Sequence, residues 1–193
     1  MRLSRIAKPF DDPDYVFELK HDGFRALAYI DAAECKLVSR NLIHFKSFAS
    51  LKESLGKMLV QNAIIDGEVV CLDSNGVSQF NELMSRNGKP VFYAFDLLWF
   101  DGEDLRSLLL IERKHRLHEL IQKSDCPRII YAQHMEGQGV GFFQEICQRD
   151  LEGIVCKRKR GIYKSNGTCW LKVKNPKYSQ AEGRHDLLKR DRQ

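Results

Sequence analysis

An α+β fold built mainly from antiparallel sheets is what this sequence predicts, on three observations. Short apolar segments bounded by Gly, Asp or Asn dominate the pattern. Only a few stretches carry the three-and-four spacing of an amphipathic helix. Helices and strands do not alternate in the regular way that a doubly wound parallel sheet requires.

The predicted strands cover residues 15–20, 24–30, 36–39, 63–72, 91–98, 128–133, 153–157 and 169–173. Asp22-Gly23 is expected to turn the first of these back onto the second as a hairpin. Phe45, Phe48, Leu51, Leu55, Met58 and Leu59 fall on one helical face. Leu110, Leu117, Leu120 and Ile121 define a second helix, in which Glu112 and Arg116 are spaced to pair one turn apart. A third helix is predicted over 140–149, and a shorter one begins near Ser78. The segment from Lys177 onward is highly polar, and its end is expected to be frayed or weakly helical.

A chain of 193 residues, 43% hydrophobic and 30% charged, suits one globular domain rather than a disordered polymer. That domain is expected over residues 1–183, followed by a polar tail at 184–193. The net charge of +5 suits a polyanionic partner but equally describes a solvated surface. No apolar run reaches the roughly 18 residues of a membrane span, and Lys8, Pro9 and Asp11 stand where a signal peptide needs an apolar core. The six cysteines lack zinc-site spacing and read as reduced thiols. A cytoplasmic protein with no membrane partner is expected.

Glu18-Leu19-Lys20-His21-Asp22-Gly23-Phe24-Arg25 opens the candidate site. Strand alternation puts Glu18 and Lys20 on one face and Phe17 and Leu19 on the other. With the apolar face in the core, the polar face lines a cleft. A lysine held there beside Arg25 has its ammonium destabilised by burial and like charge, which frees the amine as a nucleophile. A surface hairpin around an Asp-Gly turn would show the same residues.

Acidic residues inside apolar strands supply the second signal. Asp66 and Glu68 lie within Ile64-Ile65-Asp66-Gly67-Glu68-Val69-Val70, Asp96 within Ala94-Phe95-Asp96-Leu97-Leu98, and Glu152 within Leu151-Glu152-Gly153-Ile154-Val155. Each is costly unless a cation, a metal or a ligand meets it, or unless it reaches solvent from a strand end. Phe95 fits core packing as well as a base-stacking platform. The last segments are basic: Lys157-Arg158-Lys159-Arg160, Lys164, and Trp170-Leu171-Lys172-Val173-Lys174. Lys172 and Lys174 share one strand face and repel unless an anion such as phosphate lies between them. A solvated amphipathic strand has the same alternation.

In order, these segments resemble the signature motifs of covalent nucleotidyltransferases, the group of ATP-dependent DNA ligases, RNA ligases and capping enzymes. Lys20-His21-Asp22-Gly23-Phe24-Arg25 is similar to the nucleophile motif and Ser39-Arg40-Asn41 to the arginine motif after it. Asp66-Gly67-Glu68, Phe95-Asp96, Glu152-Gly153-Ile154-Val155 and Trp170-Leu171-Lys172-Val173-Lys174 match the rest. Phe95-Asp96-Leu97-Leu98 and Asn175-Pro176-Lys177-Tyr178-Ser179-Gln180 look most like the ligase domain of bacterial end-joining DNA ligases.

That resemblance implies an adenylation fold of two mainly antiparallel sheets with flanking helices around a nucleotide cleft. It also implies ATP and Mg²⁺ as cofactors and DNA as partner. Lys20 would attack the α-phosphate and hold AMP, Glu18 would fix the adenine, and Phe95 would stack on it. Glu68 would meet ribose or a metal, and Glu152 would help bind Mg²⁺. Lys172 and Lys174 would neutralise the α-phosphate. Arg25 and Arg40 would contact ribose or the nucleic-acid end, with Lys157 and Arg158 as further nucleic-acid contacts.

Such ligases usually carry an OB-fold domain after the last motif, and the residues following Lys174 are too few for that barrel. The expectation is a core without an OB-fold domain, with weak, salt-dependent DNA affinity and a possible separate OB-fold or Ku-like end-binding partner. An RNA acceptor and a non-catalytic nucleotide-binding or nucleic-acid-binding module are the alternatives.

Overall fold

The computed structural model describes residues 2–85, 88–165, 167 and 170–181. The expected tail, the domain boundary at 183 and the start of the last predicted strand at Cys169 therefore lie outside the described residues. The strands are β1 (Leu3–Arg5), β2 (Asp12–Leu19), β3 (Phe24–Asp31), β4 (Glu34–Ser39), β5 (Asn62–Val70), β6 (Val91–Phe100), β7 (Glu103–Asp104), β8 (Ile129–Tyr131), β9 (His134–Gly137), β10 (Gly153–Arg158) and β11 (Trp170–Lys174). The helices are α1 (Ala49–Gly56), α2 (Phe80–Ser85), α3 (Leu110–Lys123) and α4 (Gly139–Gln148). A short 3₁₀ turn spans Ser179–Ala181.

These strands form two sheets. One runs β1-β11-β10-β2-β9 and the other β4-β3-β5-β6-β7, with β8 added beside β6. Pairing is antiparallel except at β1–β11 and β6–β8. The α+β expectation holds, and so does its mainly antiparallel character.

Each sheet has its own apolar core. Ala26, Ala28, Ile30, Ile65, Val69, Phe92 and Ala94 pack with Leu51 and Leu55 of α1 and Leu117 of α3. Phe17, Ile154, Cys156 and Val173 pack with Ile146 of α4. A third, small cluster holds Val155 and Trp170 with Leu3, Phe95 and Tyr163, residues drawn from both sheets. It floors the cleft between them.

The expected hairpin at Asp22-Gly23 is not formed, because β2 and β3 belong to different sheets. The dipeptide instead carries the chain across the cleft and against β5. A Cβ on Gly23 would lie 2.2 Å from the Val69 carbonyl oxygen, so the crossing needs glycine. Asp22 is buried and accepts a bond from the Tyr178 hydroxyl at 3.2 Å.

Two smaller expectations also give way. The helical face from Phe45 to Leu59 shortens to α1, since Phe48 takes a left-handed backbone (φ 66°) and Leu59, beyond the C-cap at Lys57, is exposed. Glu112 and Arg116 do not pair. Glu112 instead accepts the Leu109 backbone N–H at the start of α3, and Arg116 reaches Glu103 at 2.6 Å. No helix among the described residues is long and apolar enough to cross a membrane.

Candidate active site

Strand register assembles one wall of the cleft. Glu18 lies opposite Val155, Val155 opposite Lys172, and Gly153 opposite Lys174. Paired residues, and residues two apart on a strand, share a face. Glu18, Lys157, Lys172 and Lys174 therefore project to one side of the first sheet, and the shared face of Lys172 and Lys174 is the one the alternation predicted. Gly153 begins β10 at φ 146°, where a Cβ would sit 2.1 Å from the Val173 carbonyl oxygen. Glycine thus lets Glu152 enter the cleft tight against β11.

At the open end of this wall Lys20 donates from Nζ to Glu152 Oε2 at 2.7 Å, and Lys174 Nζ lies 3.3 Å from Oε1 of the same carboxylate. The sequence led us to expect cations around Lys20. The neighbouring cations are Lys172 and Lys174 rather than Arg25, which is committed to Asp66, and the group bonded to the amine is a buried carboxylate. Lys172 feels burial and the charges of Lys20, Lys174 and Arg40, which together pull it below the usual lysine range.

The second sheet supplies the opposite wall. Arg25 stands opposite Glu68 but bonds diagonally to Asp66, Nε to Oδ1 at 3.0 Å and Nη2 to Oδ2 at 2.7 Å. The Tyr163 hydroxyl donates to Asp66 Oδ2 at 2.9 Å. Asp96 is held the same way by Arg113, Nε to Oδ1 at 2.7 Å and Nη2 to Oδ2 at 2.9 Å, with both side chains fully buried. Buried acids are thus matched by buried cations, as their placement in apolar strands demands.

Glu68 is the exception. Burial pushes its carboxyl up to about 8, against the pull of Lys20 and Arg25 and reinforced by Glu152 and Asp66. Among the described residues no three His, Cys, Asp or Glu side chains form a metal-binding group. Glu68 and Glu152 nevertheless feel each other's charge, and among the described residues Glu68 has no bonded cation. Two protein carboxylates completed by phosphate oxygens and water are the donor set Mg²⁺ favours, so these residues fit that ion.

At the closed end Glu18 is buried between two lysines. Lys114 Nζ donates to Oε1 at 2.7 Å, and Lys157 Nζ lies 2.6 Å from Oε2. Burial alone would raise this carboxyl, but the two ammonium groups outweigh it and hold Glu18 below its ordinary range. Lys157 is 1% exposed and sits 4.4 Å from the Phe95 ring centroid and 4.0 Å from that of Trp170. That burial corrects the expectation that Lys157 faces nucleic acid. Arg158 does remain on the surface, bonded to the Tyr15 hydroxyl at 2.9 Å.

Glu18, Lys20, His21, Glu68, Phe95 and Trp170 line a narrow cavity of ≈ 50 Å³. It adjoins, through Arg25, an open cavity of ≈ 600 Å³ lined by Arg2, Arg40, Asn41 and Tyr163. Ligand pockets usually hold about 300–1,000 Å³, so a nucleotide must widen the inner cavity while the outer one already has room. His21, whose environment the sequence leaves open, is half-buried with its ring stacked 3.8 Å from that of Tyr93. Burial lowers it to about 4.

Sequence reasoning missed Arg113, Lys114 and Tyr163. The first two had a signal: they lie three and four residues after Leu110 and just before Leu117, on the apolar stripe of α3. A charged residue on a buried stripe must have a buried partner. Tyr163 carries no comparable signal.

A lysine seated on a buried acid between two sheets, reached by motifs in this order, is the arrangement that the resemblance to covalent nucleotidyltransferases implies. Residues 2–174 match the ATP dependent DNA ligase domain family. The SPbeta prophage-derived DNA ligase-like protein LigB of Bacillus subtilis is 30% identical over 93% of this chain and 68% of its own length. The multifunctional non-homologous end joining protein LigD of Pseudomonas aeruginosa is 30% identical over 83% of this chain, but the match spans only 20% of LigD. The crystal structure of the ligase domain from M. tuberculosis LigD superposes with a TM-score of 0.79 at 25% identity, over 90% of this chain and 58% of that one. A mycobacterial DNA ligase D complexed with ATP and MES gives 0.75 at 26% identity, over 90% and 60%. The chain belongs to the ATP-dependent DNA ligase family.

Proposed function

We propose that this chain is the catalytic core of a ligase that loads AMP from ATP onto Lys20 and passes it to a DNA 5′-phosphate. The observation that carries this reading is the contact of Lys20 with Glu152, with Lys174 on the same carboxylate. An amine bonded this way acts as a nucleophile once Glu152 takes its proton. Nitrogen then bonds to the α-phosphorus, the bond to pyrophosphate breaks, and a phosphoramidate remains. Lys172 and Lys174 face the charge that builds on the phosphate oxygens. A 5′-phosphate oxygen next displaces Lys20 from AMP, and a 3′-hydroxyl finally displaces AMP to seal the strand.

At the closed end Glu18 accepts the amino group of adenine, while Phe95 and Trp170 supply aromatic surface for the base. Mg²⁺, held by Glu68 and Glu152, would neutralise phosphate charge and so make pyrophosphate a better leaving group. Arg25 and Arg40 serve ribose or the DNA end from the outer cavity, with Arg158 as a phosphate contact on the surface. The end-joining role named for LigD, together with the net charge of +5, supports nicked or broken duplex DNA as substrate. A separate OB-fold or Ku-like protein is a fitting partner. Free thiols at Cys35, Cys71, Cys126, Cys147 and Cys156 support a cytoplasmic setting.

The test begins with protein cleared of bound AMP by pyrophosphate. With ATP and Mg²⁺ its intact mass should rise by one AMP, and nicked DNA bearing a 5′-phosphate should then remove the adduct. No mass gain would overturn the reading. An adduct that nicked RNA discharges and nicked DNA does not would change the acceptor.

A further inference from the structure

Lys114 belongs to none of the sequence motifs, yet it is 1% exposed and crosses 96 residues of sequence to bond Glu18. It arrives from α3, which packs on β6 and β8 of the second sheet, and is absent from the lining of the inner cavity. Its Nζ also donates to the Ala132 carbonyl at 3.2 Å and lies 4.7 Å from the Tyr131 ring centroid, so the amine is fixed on three sides. Lys157, the other cation on Glu18, lines the cavity itself and pairs with Oε2 at 2.6 Å. Glu18 is therefore held on Oε1 by a cation that does not line the cavity and on Oε2 by one that does.

We infer that Lys114 is the positioning residue that sets base selectivity, by holding Glu18 ionised with its free acceptor positions turned into the cavity. An ionised carboxylate only accepts hydrogen bonds. Anchored on Oε1 by Lys114, it retains lone pairs for an exocyclic amino group such as that of adenine, and it repels a carbonyl at the same place. Guanine presents that carbonyl, and unsubstituted purine presents neither group. Without the anchor, Glu18 is held by Lys157 alone and is free to turn or to bind a proton, and in either case the distinction fades. This inference rests on the reading of Glu18 as the adenine contact.

Kinetics of lysyl-nucleotide formation with ATP, GTP and purine riboside triphosphate test it, in the wild type and in Lys114→Met. The wild type should prefer ATP over the purine analogue by about tenfold or more, the usual worth of a hydrogen bond to a charged group. Equality there would overturn the role of Glu18 rather than that of Lys114. In K114M the preference should fall to about unity, through a higher KM for ATP with little change in kcat, while the KM for the purine analogue stays put. A uniform drop with all three nucleotides would mean that Lys114 is merely structural, and an unchanged ratio would mean that it is irrelevant. Either result overturns the proposal. If K114M does not unfold cooperatively, Lys114→Gln, which keeps a donor but no charge, carries the same test: lost preference supports the role and retained preference overturns it.

Discussion

The two ends of the cleft handle charge in opposite ways. At the closed end and beneath it, Glu18, Asp66 and Asp96 are locked by Lys114, Arg25 and Arg113 in contacts of 2.7 to 3.0 Å. At the open end Glu152 is shared between Lys20 and Lys174, whose side chains are 17% and 40% exposed, and Glu68 has no bonded cation among the described residues. Fixed pairs suit recognition, because their dipoles need no rearrangement when a base arrives. On the proposed function, looser pairs would suit chemistry, because a carboxylate that exchanges a proton, a lysine and a metal cannot be permanently satisfied.

Breaking a fixed pair should therefore cost stability, and breaking a loose one should cost rate. The largest effect is expected from Arg113→Met, which leaves Asp96 charged and enclosed. We expect a loss of about 3–5 kcal/mol in chemical denaturation, enough to unfold a marginal domain. If R113M unfolds at the wild-type midpoint, the closed end is not locked as described.

Glu152→Gln should do the converse. It keeps the shape but leaves Lys20 and Lys174 facing each other without an anion, so single-turnover adenylylation should slow by about a hundredfold or more. Thermal unfolding should stay within a few degrees of the wild type. A large loss of stability with normal turnover would reverse the assignment of the two ends.

Glu68→Gln sharpens the contrast through pH. In the fold, burial raises this carboxyl from 4.5 to about 8. The folded protein thus holds a proton that the unfolded chain releases near 4.5. Ionisation in place costs stability progressively from about pH 4.5 to about pH 8, and the loss is complete above that range. E68Q removes this cost, so it should melt several degrees above the wild type at pH 8, with the two melting curves converging near pH 4.5. Parallel curves across that range would show that Glu68 is not a strained acid. The smallest effect belongs to an external pair: Glu53→Gln breaks the exposed contact with Lys57 at 2.7 Å and should leave the denaturation midpoint unchanged within error.

Legibility in the sequence followed the same division. Alternation placed Glu18, Lys172 and Lys174 on the cleft face of their strands, and the run of apolar residues around Asp66, Asp96 and Glu152 announced buried acids. Which cation meets which acid was not legible, because the partners lie far apart in sequence and sheet order decides them. Lys20 was expected beside Arg25 and other cations; Lys172 and Lys174 are there, but its bonded partner is Glu152, 132 residues away. Lys157 read as a surface charge because it begins a basic run, but register with Val16 turns it inward. Asp22-Gly23 is a good hairpin signal that here serves a crossing between sheets, since the glycine is required by close approach to Val69 rather than by a turn.

Peptide mapping of the adenylylated protein addresses the central claim most directly. After incubation with ATP and Mg²⁺, AMP should be found on the peptide containing Lys20 and nowhere else, through a bond stable to base and labile to acid as a phosphoramidate is. Lys20→Ala should remain folded and take up none. AMP recovered on another residue, or undiminished labelling of the alanine variant, would contradict the account.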